Sequence, residues 1–379
     1  MRIFENLNIN FLGKRKYFYI LSTALFLFGL INIIFRGLEF GIDFKGGSEV
    51  VLRFETPIEI GDIRGVVTNI GLGNIEVKTF GDNAGVLIRS ELQEIPSEIY
   101  PKVKSQIEGL IEKELPGLPF RVIDSTAASL TYAFPNPDTT NQIIDILFNS
   151  GFQASRVSEE LSNTEMIIRV GISDWIKENL KDKFPDNRFS VLKEDRVGPK
   201  VGKELQRDAI FAVLASLVAI LIYLGFRFKF IFAFGAVLAL FHDVLITLGL
   251  FAVFYNLLPG LNLEIDLTIV AAFLTLVGYS INDTVIVFDR VRETLKIHKT
   301  EPLEVLINRS INKTMSRTIL TGGTTLLTVL VLLIFGGEVL RGFAFTLLFG
   351  IIIGTYSSIF VASALVLEYV NKYKKKVEF

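Results

Sequence analysis

Six stretches of the chain are almost wholly apolar: Tyr17–Phe35, Ala209–Phe226, Phe230–Phe254, Leu267–Phe288, Thr318–Phe335 and Gly342–Val366. Each is close to the roughly 20 residues that a helix needs to cross a bilayer, so six membrane-spanning helices are predicted. The first is followed by Arg36-Gly37-Leu38-Glu39 rather than by a small-residue cleavage site. It therefore reads as an uncleaved anchor and not as a signal peptide. Between the first two stretches the pattern changes. Alternating and β-branched runs predict strands at 49–54, 75–80, 85–89 and 120–123, with helices over 58–70 and 97–115. Pro57 suits a helix start, Gly71 a helix end, and Gly81-Asp82-Asn83 a tight turn between adjacent strands. The order is β-α-β-β-α-β, the split-βαβ or ferredoxin-like pattern.

The same order returns over 130–193. Shifting the sequence by 80 residues, without a gap, pairs Phe54 with Phe134, Pro57 with Pro137, Ile63 with Ile143, Asn69 with Asn149 and Gly71 with Gly151. It also pairs Val77 with Val157, Asn83 with Asn163, Ile88 with Ile168 and Arg89 with Arg169. Several of these fall at caps, turns and core positions, which points to duplication of one unit. The predicted organisation is a tail and first transmembrane helix (1–36), an external first unit (37–126) and an external second unit with its return to the membrane (127–208). Transmembrane helices two to six follow (209–379), with a loop at 289–316 and a basic tail. The fold class is thus an α-helical membrane protein carrying an external α+β domain of two β-α-β-β-α-β units.

Charge adds an orientation. Lys and Arg gather in the N-terminal tail (Arg2, Lys14, Arg15, Lys16), at Arg227 and Lys229, in the 289–316 loop and in the C-terminal tail (Lys372, Lys374, Lys375, Lys376). With six spans all four regions fall on one side, which the positive-inside rule makes cytoplasmic. Both termini are then cytoplasmic and residues 37–208 external. Apolar residues spaced among the basic ones of 289–316 suggest short amphipathic helices at the inner membrane surface. The 379 residues carry a net charge of −1, which gives no global field for nucleic acid. No cysteine is present, so disulfides, thiolate metal sites and cysteine nucleophiles are excluded, and two histidines leave little for a metal. The polar residues of the external region scatter as on a solvated binding surface, and no nucleophile–base or metal set suggests an enzyme.

Ionisable groups inside a span are expensive and functional by default. Asp283 lies within the fourth span, with Tyr279 and Ser280 on the preceding turn. It is either a proton-carrying group or a helix-end carboxylate reaching interfacial water. Arg317 opens the fifth span and is followed by Thr321, Thr324, Thr325 and Thr328, one hydroxyl stripe that either lines water or bonds a neighbouring helix. By hydropathy Arg317 sits at the membrane edge, where it would snorkel. His242-Asp243 lie deep in the third span, with Thr247 one turn on, and read as a structural or proton-relay pair. In the sixth span Gly342, Thr346, Gly350, Gly354, Ser358 and Ala362 recur every four residues, a small-residue ridge for close helix packing.

Certain segments go further. Gly41-Ile-Asp43-Phe-Lys-Gly46-Gly47 and Val197-Gly198-Pro199 resemble the motifs that flank the external domain in the SecF family of bacterial protein-export membrane proteins. Gly278-Tyr-Ser-Ile-Asn282-Asp283-Thr-Val-Ile-Val-Phe-Asp289-Arg290-Val-Arg-Glu293 is similar to that family's most specific signature. Arg317-Thr-Ile-Leu-Thr321, Phe335-Gly-Gly337 and Gly354-Thr-Tyr-Ser-Ser-Ile-Phe360 match it as well. The resemblance implies half of a resistance–nodulation–division bundle that pairs with a SecD-like six-span subunit in the bacterial cytoplasmic membrane. It implies an accessory role beside the Sec translocon channel, in which the proton gradient draws the translocating polypeptide outward. Protons would be the coupling ion, with no other cofactor. It maps the family's membrane charges onto Asp283 and Arg317, with Arg317 inside the bundle, and leaves Asp243 to assist. The usual family member has one external unit, so the second, 127–192, looks inserted before Val197. A lipid or small-molecule exporter of the same superfamily is the alternative, disfavoured because such chains normally hold both halves.

Overall fold

The computed structural model describes residues 7–373 apart from 127–128, 150–151, 159, 161, 256 and 258–260. Arg2, Gly151 and Lys374–Lys376, and the side chain of Asn149, lie outside the described residues. Two compact units are present: Ile42–Lys203, and the remainder of the chain on either side of it.

The second of these is the membrane bundle. Its long helices are α1 (Arg15–Arg36), α7 (Pro199–Arg227), α8 (Phe230–Phe254), α9 (Leu267–Ile297), α10 (Leu303–Phe335) and α11 (Gly337–Ser357). A π-helical turn at Ser358–Ala362 carries α11 into α12 (Ser363–Tyr373). Six helical stretches are long and apolar enough to cross a membrane, α11 and α12 counting as one. Asp266 caps α9 by accepting the Ile269 N–H at 2.8 Å, which satisfies one of the donors a helix start leaves open. Helix α11 is the most enclosed and packs on α8, α9 and α10.

The glycine ridge of α11 faces α9. A Cβ added at Gly350 would stand 1.8 Å from Leu276 Cδ1, and one at Gly354 would meet Ser280 Oγ at 2.9 Å. Helices α1 and α8 cross as closely, at Gly29 and Gly249. The segment 289–316 differs from expectation. It forms no separate short helices but extends α9 and α10 beyond their apolar cores, with a short turn between them. Val291, Leu306, Ile307 and Ile311 are buried in one cluster with Phe288 and Leu12. The apolar positions that suggested a membrane-surface helix pack instead against each other.

The α/β unit contains a short α2 (Ile42–Lys45), β1 (Gly47–Phe54), α3 (Ile60–Asn69), β2 (Ile75–Phe80), β3 (Asp82–Ser90), α4 (Tyr100–Glu114) and β4 (Arg121–Ser125). Then come β5 (Ser129–Ala133), α5 (Pro137–Asn149), β6 (Gln153–Arg156), β7 (Glu165–Arg169), α6 (Ile172–Lys183) and β8 (Phe189–Val197). Two four-stranded antiparallel sheets result, ordered β2-β3-β1-β8 and β4-β5-β7-β6. Both have the same plan, a closing strand beside the first strand, then the third and the second. The matched segments occupy equivalent places, β1-α3-β2-β3 in one sheet and β5-α5-β6-β7 in the other.

The expected boundary at 126/127 does not follow the sheets. The strand that closes the first sheet is β8, and α6 packs on β1 and α3, while β4 pairs with β5 and α4 packs on α5. The first ferredoxin-like unit is therefore made of 47–90 and 172–197, and the second is the continuous stretch 100–169. The second unit lies between β3 and α6 rather than over 127–192. The physical reason is non-local pairing: β8 returns to β1 with Gly47 opposite Val197 and Phe54 opposite Phe189. Both units share one apolar core, from Val50, Leu52 and Ile63 through Trp175 and Ile176 to Tyr132 and Ile168.

The polar residues of this unit are not all solvated. Arg89 on β3 donates through Nε to Glu49 on β1 at 2.9 Å, and both side chains are about 95% buried. Glu76 on β2 and Lys193 on β8 extend this ion pair across the sheet, at 3.1 and 3.4 Å. On α6, Asp174 and Glu178 are buried too.

Candidate functional site

The polar residues of the bundle converge from three helices. Asp243 on α8 is 1% exposed. Its Oδ2 accepts hydrogen bonds from Ser280 Oγ of α9 and Ser357 Oγ of α11, both at 2.7 Å. Its Oδ1 lies 2.9 Å from Nδ1 of His242. Thr247 does not bond the carboxylate; its hydroxyl donates to the Asp243 carbonyl at 2.8 Å. A buried carboxylate must be compensated by donors or opposite charge, and these three partners do so.

Asp283, one helical turn beyond Ser280, is 3% exposed and accepts from Thr355 Oγ1 of α11 at 3.2 Å. Thr355 and Ser357 thus hold the two acidic groups from one helix. Between them Tyr356 donates to the Phe18 carbonyl of α1 at 2.9 Å, and its hydroxyl lies 2.8 Å from Ser22 Oγ. Its ring centroid is 6.5 Å from that of His242. These three consecutive residues stand immediately before the π-helical turn, where Ser363 Oγ bonds the Ser358 carbonyl at 2.9 Å. Single π turns interrupt α-helices mostly at functional sites.

Two expected neighbours of Asp283 serve elsewhere. Ser280 bonds Asp243, and Tyr279 OH bonds Thr325 Oγ1 of α10 at 3.2 Å. Positions three and four residues back share a helix face, but the direction of each side chain is set by the helix it meets. Arg317 is exposed on α10 in this chain alone, and among the described residues no ion pair joins it to Asp283. The Thr321, Thr324 and Thr328 hydroxyls lie on the same exposed side and bond back to carbonyls four residues earlier, at 2.9, 2.9 and 3.1 Å. A strip of an apolar helix is therefore left polar and uncovered. Asn282, exposed beside it in sequence to Asp283, lines a groove with Ile220 and Tyr223 of α7 and Gly278 and Tyr279 of α9.

The remaining motif residues have structural work. Gly46 and Gly47 take φ of 77° and 115°, which only glycine adopts without strain. A Cβ at Gly46 would meet Pro199 Cα at 2.9 Å, and one at Gly47 would meet Ser90 O at 2.2 Å. The two flanking motifs are thus one structure: Gly47 pairs with Val197, and Gly198 accepts the Gly202 N–H at 2.8 Å. Asp43 lies on α2 between them. Gly41 donates to Ile265 O at 2.8 Å, at the segment leading into α9. Asp289 pairs with Arg227 of α7 at 2.8 Å, and Arg290 pairs with Glu293 on its own helix. Gly342, Gly350, Gly354 and Ser358 are all buried. Among the described residues no group of three His, Asp or Glu is placed to hold a metal.

These motif segments and the polar cluster fall within two recognised regions. Residues 31–58 match the SecD/SecF GG motif, and residues 176–372 match the C-terminal region of protein export membrane proteins SecD/SecF. The chain is 42% identical over 368 residues to protein translocase subunit SecF of Rhodothermus marinus, covering 97% of this chain and 95% of that one. The chain belongs to the SecF family. The SecF of Koribacter versatilis is 38% identical, over 97% of this chain and 93% of its own. SecF membership makes this a multi-pass membrane protein with an accessory role in Sec protein export. The crystal structure of SecDF, a translocon-associated membrane protein from Thermus thermophilus, superposes with a TM-score of 0.64 at 30% identity, covering 97% of this chain. SecDF in its super-membrane-facing form gives 0.56 at 31% identity over 98% of this chain. The chain spans about two-fifths of the SecDF chains, 39% and 40%.

Proposed function

We propose that this SecF-family chain joins a SecD-like six-span subunit beside the Sec translocon channel and couples the proton gradient to outward movement of the translocating polypeptide. It acts from the bacterial cytoplasmic membrane, with both termini cytoplasmic and residues 37–208 external. The observation that carries this reading is Asp283, buried and held by Thr355, whose hydroxyl lies beside Gly322 of α10, the helix that bears the uncovered polar strip headed by Arg317. A strip of that kind is unfavourable against lipid, and a second bundle of matching polarity would cover it. The share of SecDF left unmatched is enough chain for such a bundle.

In this reading protons are the coupling ion. Asp283 changes protonation as its surroundings open alternately to either side, Arg317 stabilises the deprotonated form, and Asp243 assists. Moving one charge through 100 mV is worth about 2.3 kcal/mol, which shifts a two-state equilibrium by a factor of tens. The chain has no cysteine, so single-cysteine variants at Thr321 and Thr328 report contacts without background. Cross-linking of both to a co-expressed SecD-like subunit is expected, with none from Ile34→Cys on the exposed face of α1. Cross-linking from Ile34→Cys alone, or a fully active six-span chain without partner, would contradict the assignment.

A further inference from the structure

The polar cluster contains an atom that its packing does not use. His242 Nε2 is buried and, among the described residues, has no hydrogen-bond partner. Its other nitrogen, Nδ1, is 2.9 Å from Asp243 Oδ1. The second carboxylate oxygen receives two serine hydroxyls at 2.7 Å, as suits a charged acceptor. With a carboxylate as partner, Nδ1 carries hydrogen and donates, so Nε2 of the neutral ring presents a free lone pair. The surroundings supply no competing base. Helix α11 brings Tyr356 and Ser357, α9 brings Ser280, and α1 brings Ser22 through the Tyr356 hydroxyl. The other buried carboxylate of α9, Asp283, is held separately by Thr355.

We propose that His242 is a second proton-carrying group of the bundle, with Nε2 as the atom that takes the proton and Asp243 as its fixed counter-charge. Uptake forms one N–H bond and turns imidazole into imidazolium. The pair passes from a net charge of −1 to neutral, and release from Nε2 reverses it. The Nδ1–Asp243 bond is kept in both states, so the carboxylate orients the ring and sets its tautomer. This inference rests on proton coupling by the same cluster. It adds a carrier in α8 to the one in α9, with Thr355 and Ser357 of α11 in contact with both acidic groups.

The chain has only two histidines, which makes a direct measurement practical. Full-length protein labelled with 15N-histidine in lipid nanodiscs is titrated from pH 9 to pH 5, with His298→Gln used to assign the signals. The Nε2 resonance of His242 is expected to move from the unprotonated to the protonated position, while Nδ1 stays protonated. Asp243→Asn is expected to change that transition, because the ring loses its counter-charge. In vesicles containing the complete export complex, His242→Asn keeps a donor to Asp243, because Asn Nδ2 takes the place of Nδ1, but lacks the second nitrogen. Its gradient-stimulated export is expected to fall at least tenfold, where a merely structural histidine would be rescued. A His242 ring in one neutral form across the whole titration would overturn the proposal even if the Asn variant failed to insert. So would a His242→Asn export profile equal to wild type at every pH. Loss of coupling in Asp283→Asn together with wild-type behaviour of His242→Asn would overturn this inference alone. A titrating His242 in a protein whose Asp283→Asn variant exports normally would support it and overturn the role given to Asp283.

Discussion

Glu178 gives the α/β unit a stability that depends on pH in a defined direction. It lies on α6, 6% exposed, and its Oε2 has no hydrogen-bond partner. Burial, reinforced by the charge of Asp182, pushes its carboxyl from the ordinary 4.5 up to about 7. An unfolded chain releases this proton near 4.5, whereas the folded one holds it until about 7. Between those values the folded state binds more protons, so stability falls as pH rises and is lowest above pH 7. The full linkage corresponds to about 3 kcal/mol. Partial hydration of the charged form and the unpaired amide of the variant reduce the expected gain from Glu178→Gln to about half of that. For a unit of this size each kcal/mol moves the midpoint by about 2–4 °C, so Tm at pH 8 should rise by about 5 °C, with little change at pH 4.5. The chain's one tryptophan, Trp175, is on the same helix, is 5% exposed and donates to the Ile70 carbonyl at 3.3 Å. Its fluorescence during heating of the detergent-solubilised protein follows the unit directly. An equal shift at pH 4.5 and pH 8, or no shift at either, would refute the argument.

Two further substitutions probe packing and charge. Gly350→Leu should abolish the close approach of α11 to α9, since even a Cβ would overlap Leu276; monodisperse protein of wild-type melting behaviour would place the ridge elsewhere. Arg89→Met leaves Glu49 buried with only Lys193, at 3.4 Å, in partial compensation. It should destabilise the unit by about 3 kcal/mol in urea titrations followed by Trp175 fluorescence, and a loss below about 1 kcal/mol would show the ion pair to be dispensable.

Hydropathy made the six spans legible, because a lipid-facing helix has no choice but a continuous apolar run. The 80-residue repeat was legible for the same kind of reason: β1-α3-β2-β3 and β5-α5-β6-β7 fill equivalent places and need the same residues there. The ownership of α4-β4 and α6-β8 was not. Strand identity is local, but the pairing of β8 with β1 across the whole second unit is decided only by the assembled core. At the site, Asp243, Asp283 and Arg317 stood out as charges in apolar runs. Ser357 did not, and Ser280 was read as a neighbour of Asp283 rather than of Asp243, since the partner of a serine in a span is unknown until the carboxylate on another helix is placed. Adjacent side chains on a helix diverge, yet His242 and Asp243 rotate together enough to share a hydrogen bond. Glu178 and the Glu49–Arg89 pair escaped notice because charged residues on strands and short helices are usually solvated.

The central claim is that proton passage through Asp283 drives the export role. Its most direct test is proton flux in sealed vesicles holding this chain, its SecD-like partner and the translocon, with a pH-sensitive dye inside and an imposed gradient. Asp283→Asn keeps the shape of the side chain and the contact with Thr355 but removes titration. Flux that rises with a translocating polypeptide in the wild type, and falls to the level of vesicles without this chain in Asp283→Asn at equal abundance, is the predicted result. Undiminished flux and export in Asp283→Asn would contradict it.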